Sequence, residues 1–469
     1  MKLETSAFRC LRVVVILTLS SVTCLSRAVL AQSGKQGLNA VYGPSNVIQG
    51  SAAFIDATPY LGTGDICAAL NTIILSVAGT GAVIDARGVN PGTPQACAQS
   101  PWHTLPGSGT FANVTILLPK STIATETPWV VPNFTHIVGQ GPGQTILQAC
   151  KATSATCPTG AFSGSAMIVL GSDTGAFGCG TGVCFGIQVS DLTLDAQSQA
   201  LDGVDNANAE EQSYVRHVSM VNIGGTGLRL SADTDCSSLG TSSNSGPYND
   251  LNIGISGTAA ACVKVLNLGG SCPQTAHPRG LHGISCQCIA AGAACTNPNS
   301  GIELDGGAFS IENIFLNGFH DGIAIGDQAN TLGPIQSELI VNVRGGSNVT
   351  NLVHIYNATA GELSDITILG ATSSTPTSNI TILDDLNGPS LANSNNANVG
   401  MYVLGESIGG GNGFTRFTTS TTLPTWFVGS TTVAGSCSSL ANGTLYSNTS
   451  GGAGSTLYAC GNGVWQNLK

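Results

Sequence analysis

The chain has 469 residues, and Asp, Glu, Lys and Arg together make up only 9% of them, far below the roughly 25% of ordinary soluble domains. Glycine contributes 62 residues, close to double the usual share of about 7%, without the period of three that collagen requires. Coiled coils, helical bundles and acidic disordered tails all need more charge and are excluded. Abundant Gly, Ser, Thr and Asn around short β-branched runs fit an elongated β-protein with many turns.

Residues 1–31 have the organisation of a signal peptide. Lys2, Arg9 and Arg12 form a basic start, Val13 to Leu25 an apolar stretch, and Val29-Leu30-Ala31 a small-residue cleavage site before Gln32. The apolar run is too short, and too interrupted by Ser and Thr, for a membrane anchor. Thr23 before Cys24 fits a lipoprotein signal poorly. Cleavage removes four of the 15 basic and one of the 26 acidic residues, leaving a net charge of −14. That charge argues against nucleic acid and anionic membrane surfaces as partners. A polyanionic substrate would need a local basic patch or a divalent cation. The expected location is outside the cell or on its surface, with the periplasm as the alternative.

Of the 16 cysteines, Cys10 and Cys24 leave with the signal, and an even number in an exported chain reads as disulfides. Local pairing suggests Cys67–Cys97, Cys150–Cys157, Cys179–Cys184 and Cys437–Cys460. Cys236, Cys262, Cys272, Cys286, Cys288 and Cys295 remain open to any pairing. Cys286-x-Cys288 has no Cys or His partner at zinc spacing, so bridging is the better reading.

Residues 32–64 read as an N-terminal arm. Asp65 to Ala78 is the one convincing amphipathic helix, with Ile66, Leu70, Ile73 and Ile74 on one face. Between residues 110 and 385 a weak repeat follows, a polar or small residue before an apolar-x-apolar triplet. It begins at Asn113, His136, Ala166, Asp191, His217, Asp250, Gly283, Asn313, Glu338 and Asp365, at intervals of 23 to 33 residues. Period-two alternation and β-branched residues separate it from helical solenoids. A coil of three short strands and three turns needs this length, and such coils bury their apolar side only by stacking on one another. The expectation is an all-β, right-handed parallel β-helix of about ten coils over residues 65–400, with the helix plugging its first end. Residues 401–469 turn to Gly, Thr and Ser with aromatics and read as a small disulfide-pinned β module.

Ala82-Val-Ile-Asp-Ala-Arg-Gly88, Leu118-Pro119, Trp129-Val-Val-Pro132 and Ile137-Val-Gly-Gln-Gly-Pro-Gly-Gln-Thr-Ile146 resemble the opening of the pectate-lyase superfamily. The nearest branch is the rhamnogalacturonase/epimerase-like one, in which a capping helix accompanies a G-x-G-x-x-x-T turn, matched here by Gly139, Gly141 and Thr145. The resemblance covers roughly residues 65–385 and implies a right-handed β-helix and a secreted protein acting on polysaccharide. The tail, with Gly443-Thr-Leu-Tyr-Ser-Asn-Thr449 and Tyr458-Ala-Cys-Gly-Asn-Gly-Val-Trp465, looks like terminal modules of fibre-like surface proteins. Gly139-x-Gly141 precedes no helix-forming segment, so a phosphate loop is not indicated.

Asp191, His217, Asp250, Asn313 and Asp365 share one place in the repeat and are expected to form a structural ladder of stacked side chains. A second strand of the form Gly-apolar-x-apolar places Asp205, Arg229, Lys264, Glu303, Ala324 and His354 at outward positions, one coil, or about 4.8 Å, apart. The candidate catalytic residues are therefore Asp205, Arg229, Lys264, Glu303 and Asp305, with His354 contacting substrate. Two mechanisms fit. In β-elimination on a uronate, Arg229 and Lys264 act on the proton and the enolate-like charge, with a Ca²⁺ held by Asp205 or Glu303. In hydrolysis, Glu303 and Asp305 lie two residues apart on one strand, about 6.7 Å, close to the ~6.5–9.5 Å of inverting enzymes.

The superfamily's Asn-Thr-Asp, Asp-Asp, Gly-His-Gly and Arg-x-Lys hydrolase signatures are missing: Asp384-Asp385 lies late, and Leu281-His282-Gly283 lacks the first glycine. A polysaccharide lyase or glycoside hydrolase therefore stands beside a non-catalytic alternative, a surface adhesin or carbohydrate-binding, fibre-like protein. Polysaccharide is the expected partner, and a rod of this kind can assemble as a homotrimer. Seven Asn-x-Ser/Thr sites, beginning at Asn113, Asn133, Asn348, Asn357, Asn379, Asn442 and Asn448, would carry glycans only in a eukaryotic secretory pathway.

Overall fold

The computed structural model describes residues 53–355 except 63, 106–111, 172–183, 207–208, 232–244, 257–260, 267–278, 290–299, 306–309, 326–334, 337–338 and 347, and beyond 355 a set of separate strands together with 457–468. The signal segment, Asp365 and the cysteines at 179, 236, 272 and 295 lie outside the described residues.

Ten strands pair in parallel, strictly in chain order, from Trp129–Val131 through Ala166–Leu170, Asp202–Asn206, Leu228–Ser231, Val263–Leu266, Ser300–Leu304, Asp321–Ile325, Asn351–Ile355 and Ile380–Asp384 to Arg416–Phe417. Between them the chain returns to a second, larger parallel sheet through Gln188–Asp195, Tyr214–Ile223, Tyr248–Ile255, Ser285–Cys288, Ser310–Asn317, Leu339–Gly345 and Ile366–Ser373. Consecutive strands alternating between two parallel sheets have the connectivity of a parallel β-helix. Ala166–Leu170, grouped by its apolar-x-apolar pattern with Asp191 and His217, belongs to the ten-stranded sheet beside Asp202–Asn206. The triplet marks inward-facing strands in both sheets and does not distinguish them.

The strands of the larger sheet are bent. Gln188–Asp195 pairs through its first arm with His136–Val138 and through its second with Ile146–Ala149. The bend is Asp191, whose backbone is left-handed at φ 59°. Six later coils repeat it with His217 at 49°, Asp250 at 54°, Gly283 at 65°, Asn313 at 57°, Asn342 at 52° and Gly370 at 72°. Two arms and one strand of the ten-stranded sheet make three straight segments per coil. Asp, Asn, His and Gly are the types that tolerate this conformation, which explains their recurrence at one place in the repeat. The last two bends are Asn342 and Gly370, while the rung expected at Asp365 lies outside the described residues. The rungs touch as a ladder should: His217 Nδ1 lies 2.6 Å from Asp191 Oδ1, and Asn342 Nδ2 donates to Asn313 Oδ1 at 2.7 Å.

The interior is one continuous apolar cluster that includes Ile168, Val204, Leu228, Val263, Ile302, Ile323 and Val353 from the ten-stranded sheet and Leu194, Met220, Ile253 and Leu316 from the larger one. Gly203, Gly227, Gly301 and Gly322 face it directly. A Cβ on Gly227 would stand 2.5 Å from Ile253 Cγ2, and one on Gly322 would stand 2.9 Å from Leu316 Cδ1. Glycine there lets two successive residues turn inward, and it aims the residue after the next one at the outside.

Cys262 occupies the same place as these glycines and reaches across to Cys286, which resolves one of the pairings left open by the sequence. Cys67–Cys97, Cys150–Cys157 and Cys437–Cys460 form as expected, and Cys184 and Cys288 are disulfide-bonded as well. Cys262→Ser with Cys286→Ser, which opens a cross-link separated by 24 residues, is expected to cost about 3 kcal/mol, read as a lowered urea midpoint with a somewhat steeper slope, because the unfolded chain is less compact without the bridge.

The α-helix spans Ile66–Val77, with the Asp65 carboxylate accepting from Ala68 N at 3.0 Å and from Ala98 N at 2.9 Å. Ile66, Leu70, Ile73 and Ile74 join the common core. Ala53–Asp56, inside the expected arm, is already a strand paired with Ala82–Asp85. At the other end Met401–Leu404 and Ser407–Ile408 extend the larger sheet and Arg416–Phe417 the ten-stranded one, so the coil passes the boundary expected at residue 400. The terminal module is a separate four-stranded sheet of Trp426–Gly429, Leu445–Asn448, Leu457–Gly461 and Val464–Asn467, with Tyr446 against Tyr458 and Trp465.

The opening motifs are structural. Thr145 Oγ1 donates to Pro119 O at 2.7 Å and accepts from Gln140 N at 2.9 Å, closing the turn that Gly139 and Gly141 begin. Asp85 holds Arg87 through Nε and Nη2 at 2.8 and 2.7 Å.

Candidate functional site

The six residues of the column stand in register, and two of them, Ala324 and His354, are buried. Asp205 pairs with Arg229, Arg229 with Lys264, Lys264 with Glu303, Glu303 with Ala324, and Ala324 with His354. Four of these side chains reach the surface in part: Asp205, Arg229, Lys264 and Glu303. The charges run minus, plus, plus, minus along the coil axis, and on the side before Asp205 the column continues with apolar Val169.

Two expected members behave differently. His354 is in register but only 5% exposed, with Nδ1 3.0 Å from Asp321 Oδ2; it is held inside and is not an open contact for substrate. Asp305 lies one residue beyond the strand Ser300–Leu304 and is 4% exposed, so it does not stand beside Glu303 on the outer face. The chain leaves the strand at Leu304, and period-two alternation no longer applies there.

A second row runs beside the column, made of the residues that precede the inward glycines, or Cys262 and Leu352 at the same place: Asp202, Thr226, Ala261, Ser300, Asp321 and Asn351. Its acids explain much of the site and were missed in the sequence, because a lone Asp before Gly reads as a turn residue. Asp202 Oδ2 accepts from Arg229 Nε at 2.6 Å and its Oδ1 accepts from Thr226 N at 2.5 Å. Asp321 takes His354 in the same way and also accepts from Asn351 Nδ2 at 2.7 Å. In both cases the acid of one coil holds a nitrogen-bearing side chain of the next. The signal that could have found them is the acid directly before the repeat glycine, in Asp202-Gly203 and Asp321-Gly322.

Lys264 Nζ sits 2.7 Å from Glu303 Oε2, both partly exposed. Asp205 differs from its neighbours. Its Oδ1 is buried and has no hydrogen-bond partner among the described residues. Burial pushes its carboxyl up to about 6 against the pull of Arg229, and Asp202 adds to the rise. It is therefore a carboxyl poised to gain or lose a proton near neutral pH.

A calcium site does not fit here. Arg229 and Lys264 stand between Asp205 and Glu303, each acid faces a cation, and no three His, Cys, Asp or Glu residues cluster for a metal among the described residues. Hydrolysis by two carboxylates is also poorly served. Asp205 and Glu303 are three coils apart, about 14 Å at ~4.8 Å per coil, beyond the ~6.5–9.5 Å of inverting enzymes.

No protein-family model matches the chain, and no curated protein matches it. Among solved structures, it is similar to ORF18 of Geobacillus virus E2 at 12% identity and TM-score 0.40, covering 76% of this chain and 61% of that one. A tailspike protein of E. coli bacteriophage HK620, solved with a pentasaccharide, is similar at 12% identity and TM-score 0.41, over 76% and 67% of the two chains. The catalytic unit of a thermostable α-1,3-glucanase from Streptomyces thermodiastaticus is similar at 11% identity and TM-score 0.39, over 77% and 71%. The chain thus spans about three fifths of the virus E2 protein's length. At this level of likeness the chemistry of the site has to be read from the chain's own residues. Among those described, no helix is long and apolar enough to cross a membrane.

Proposed function

We propose that this is a secreted, right-handed β-helix protein of about ten coils, with its helix plugging the first end, that binds a uronate-containing polysaccharide along the Asp205–Arg229–Lys264–Glu303 column and cleaves it by β-elimination. The observation that carries the reading is Asp205 Oδ1, a buried and unpartnered carboxylate oxygen one coil from a guanidinium in a chain with few charges. In this reading Arg229 and Lys264 neutralise the substrate carboxylate as negative charge builds on it. Asp205 takes the adjacent proton, being ionised at neutral pH yet basic enough to accept it. The C–H electron pair becomes the new C=C bond as the bond to the glycosidic oxygen breaks, and that oxygen takes a proton from water. Glu303 holds Lys264 in the column.

The test is a panel of uronate and neutral polysaccharides incubated with the mature chain, followed by absorbance of unsaturated product and by reducing ends. Unsaturated product from a uronate polymer is expected, with Lys264→Ala and Glu303→Ala each lowering it at least tenfold. Reducing ends without unsaturation would replace elimination by hydrolysis. Binding without any product would favour the second reading, a carbohydrate-binding surface protein, which the separate aromatic-lined terminal sheet supports. Activity unchanged in both variants would remove the column from the site.

A further inference from the structure

The column and the buried row beside it pose a question that the column alone does not. Arg229 follows Asp205 in register, yet among the described residues its hydrogen bond goes to Asp202, from Nε to Oδ2 at 2.6 Å. Asp205 keeps an oxygen without a partner although a guanidinium stands one coil away. Asp202 is well placed to win this competition. Its side chain is 8% exposed, its second oxygen is fixed by Thr226 N at 2.5 Å, and Gly225 leaves the space for it, since a Cβ there would lie 2.4 Å from Asp202 Oδ1. Asp321 and His354 repeat the arrangement four coils on, so the diagonal hold is a property of the fold and not an accident of one rotamer.

We propose that Asp202 is a positioning residue: by taking Nε of Arg229 it withholds that guanidinium from Asp205, leaving Asp205 free to exchange a proton with a bound polysaccharide. The inference rests on the reading of Asp205 as the proton-carrying group, but its central claim is about the free protein. If Arg229 closed on Asp205, the carboxylate would be neutralised and too weak a base to act. Among the described residues the charged groups that bear on Asp205 are Asp202 and Arg229. Asp202 lies on its own strand, Arg229 on the next coil, and the preceding strand offers Val169.

The experiment is a carbon-detected titration of Asp side chains in the full mature chain, with the Asp205 signal assigned by its loss in Asp205→Asn. In the unaltered protein its midpoint is expected near 6. In Asp202→Asn, which keeps an oxygen for Thr226 N, Arg229 is released and the midpoint should fall by one pH unit or more, as for a carboxylate beside an arginine. Removing the Asp202 charge would also lower it directly, and Arg229 already lowers it in the unaltered protein, so the single variant Arg229→Gln and the double variant Asp202→Asn with Arg229→Gln complete a cycle. A rise on removing Arg229 that is at least one pH unit larger in the Asp202→Asn background than in the unaltered protein supports the proposal; equal rises in the two backgrounds assign the shift to the lost charge alone and overturn it. A midpoint unmoved in Asp202→Asn overturns it as well. These outcomes are read without substrate, so they stand apart from the failure of the cleavage assay. Where cleavage is found, the acid limb of its pH profile should move with the titration.

Discussion

Asp205→Asn is expected to lower turnover of a cleaved polysaccharide by about 10²–10⁴-fold, the range over which a positioned proton-transfer group acts, while making the protein more stable at neutral pH. The second effect follows from the sign of the shift. The Asp205 carboxyl is raised from 3.8 to about 6 in the folded state, chiefly by burial. A raised acid adds stability that is complete below the unfolded value near 4 and is lost as pH climbs through 6. At about 1.4 kcal/mol per pH unit, the folded protein forgoes on the order of 2–3 kcal/mol by pH 8. Asn carries no charge to bury and should recover about half of that. Thermal melts from pH 4 to 8 should show a slope in the unaltered chain that flattens in the variant. Glu210, raised to about 7 by burial and then by Glu211, contributes in the same direction and leaves a residual slope of its own in the variant. A variant that loses activity and stability together would mark Asp205 as a structural group.

Gly139→Ala is expected to be the most damaging single-methyl change in the described chain, costing more than about 4 kcal/mol. The added Cβ would lie 2.1 Å from the backbone oxygen of Asp191, with Leu192 Cβ at 2.8 Å. Backbone of the next coil cannot yield as a flexible side chain can, so the coils must part locally and lose the bonds Gly139 N→Ser190 O and Gly141 N→Asp191 O. Gly62→Ala, with nothing within 4 Å, is the matching control and should leave the melting temperature within a degree or two. If Gly139→Ala melted like the control, the tight stacking of the opening turn on the Asp191 bend would be wrong.

The column was legible because two simple rules fix it: side chains alternate along a strand, and parallel coils stack the same place of each repeat. Asp205, Arg229, Lys264 and Glu303 obey both. Asp305 fails the first rule because its strand ends at Leu304. His354 obeys both and still turns to Asp321, since register fixes where a side chain starts and not what it bonds. The bend residues showed in sequence as a recurring polar position, but their left-handed backbone did not. Asn342 and Gly370 were not among the expected rungs, because the apolar-x-apolar pattern continues on both sides of a bend. Asp202 and Asp321 had no sequence signal stronger than a turn. Their importance comes from the neighbouring coil, which a single repeat does not contain.

The left-handed bend, held at one place through seven successive coils from Asp191 to Gly370, also limits how this molecule can change over evolutionary time. One residue gained or lost inside a bent strand would exchange its inner and outer faces from that point on. An entire coil copied and spliced between two others would find its bend, its inward glycine and its outward side chain already aligned. Growth in length can therefore proceed in steps of a whole coil, each adding one more position to the row of charges along the outside.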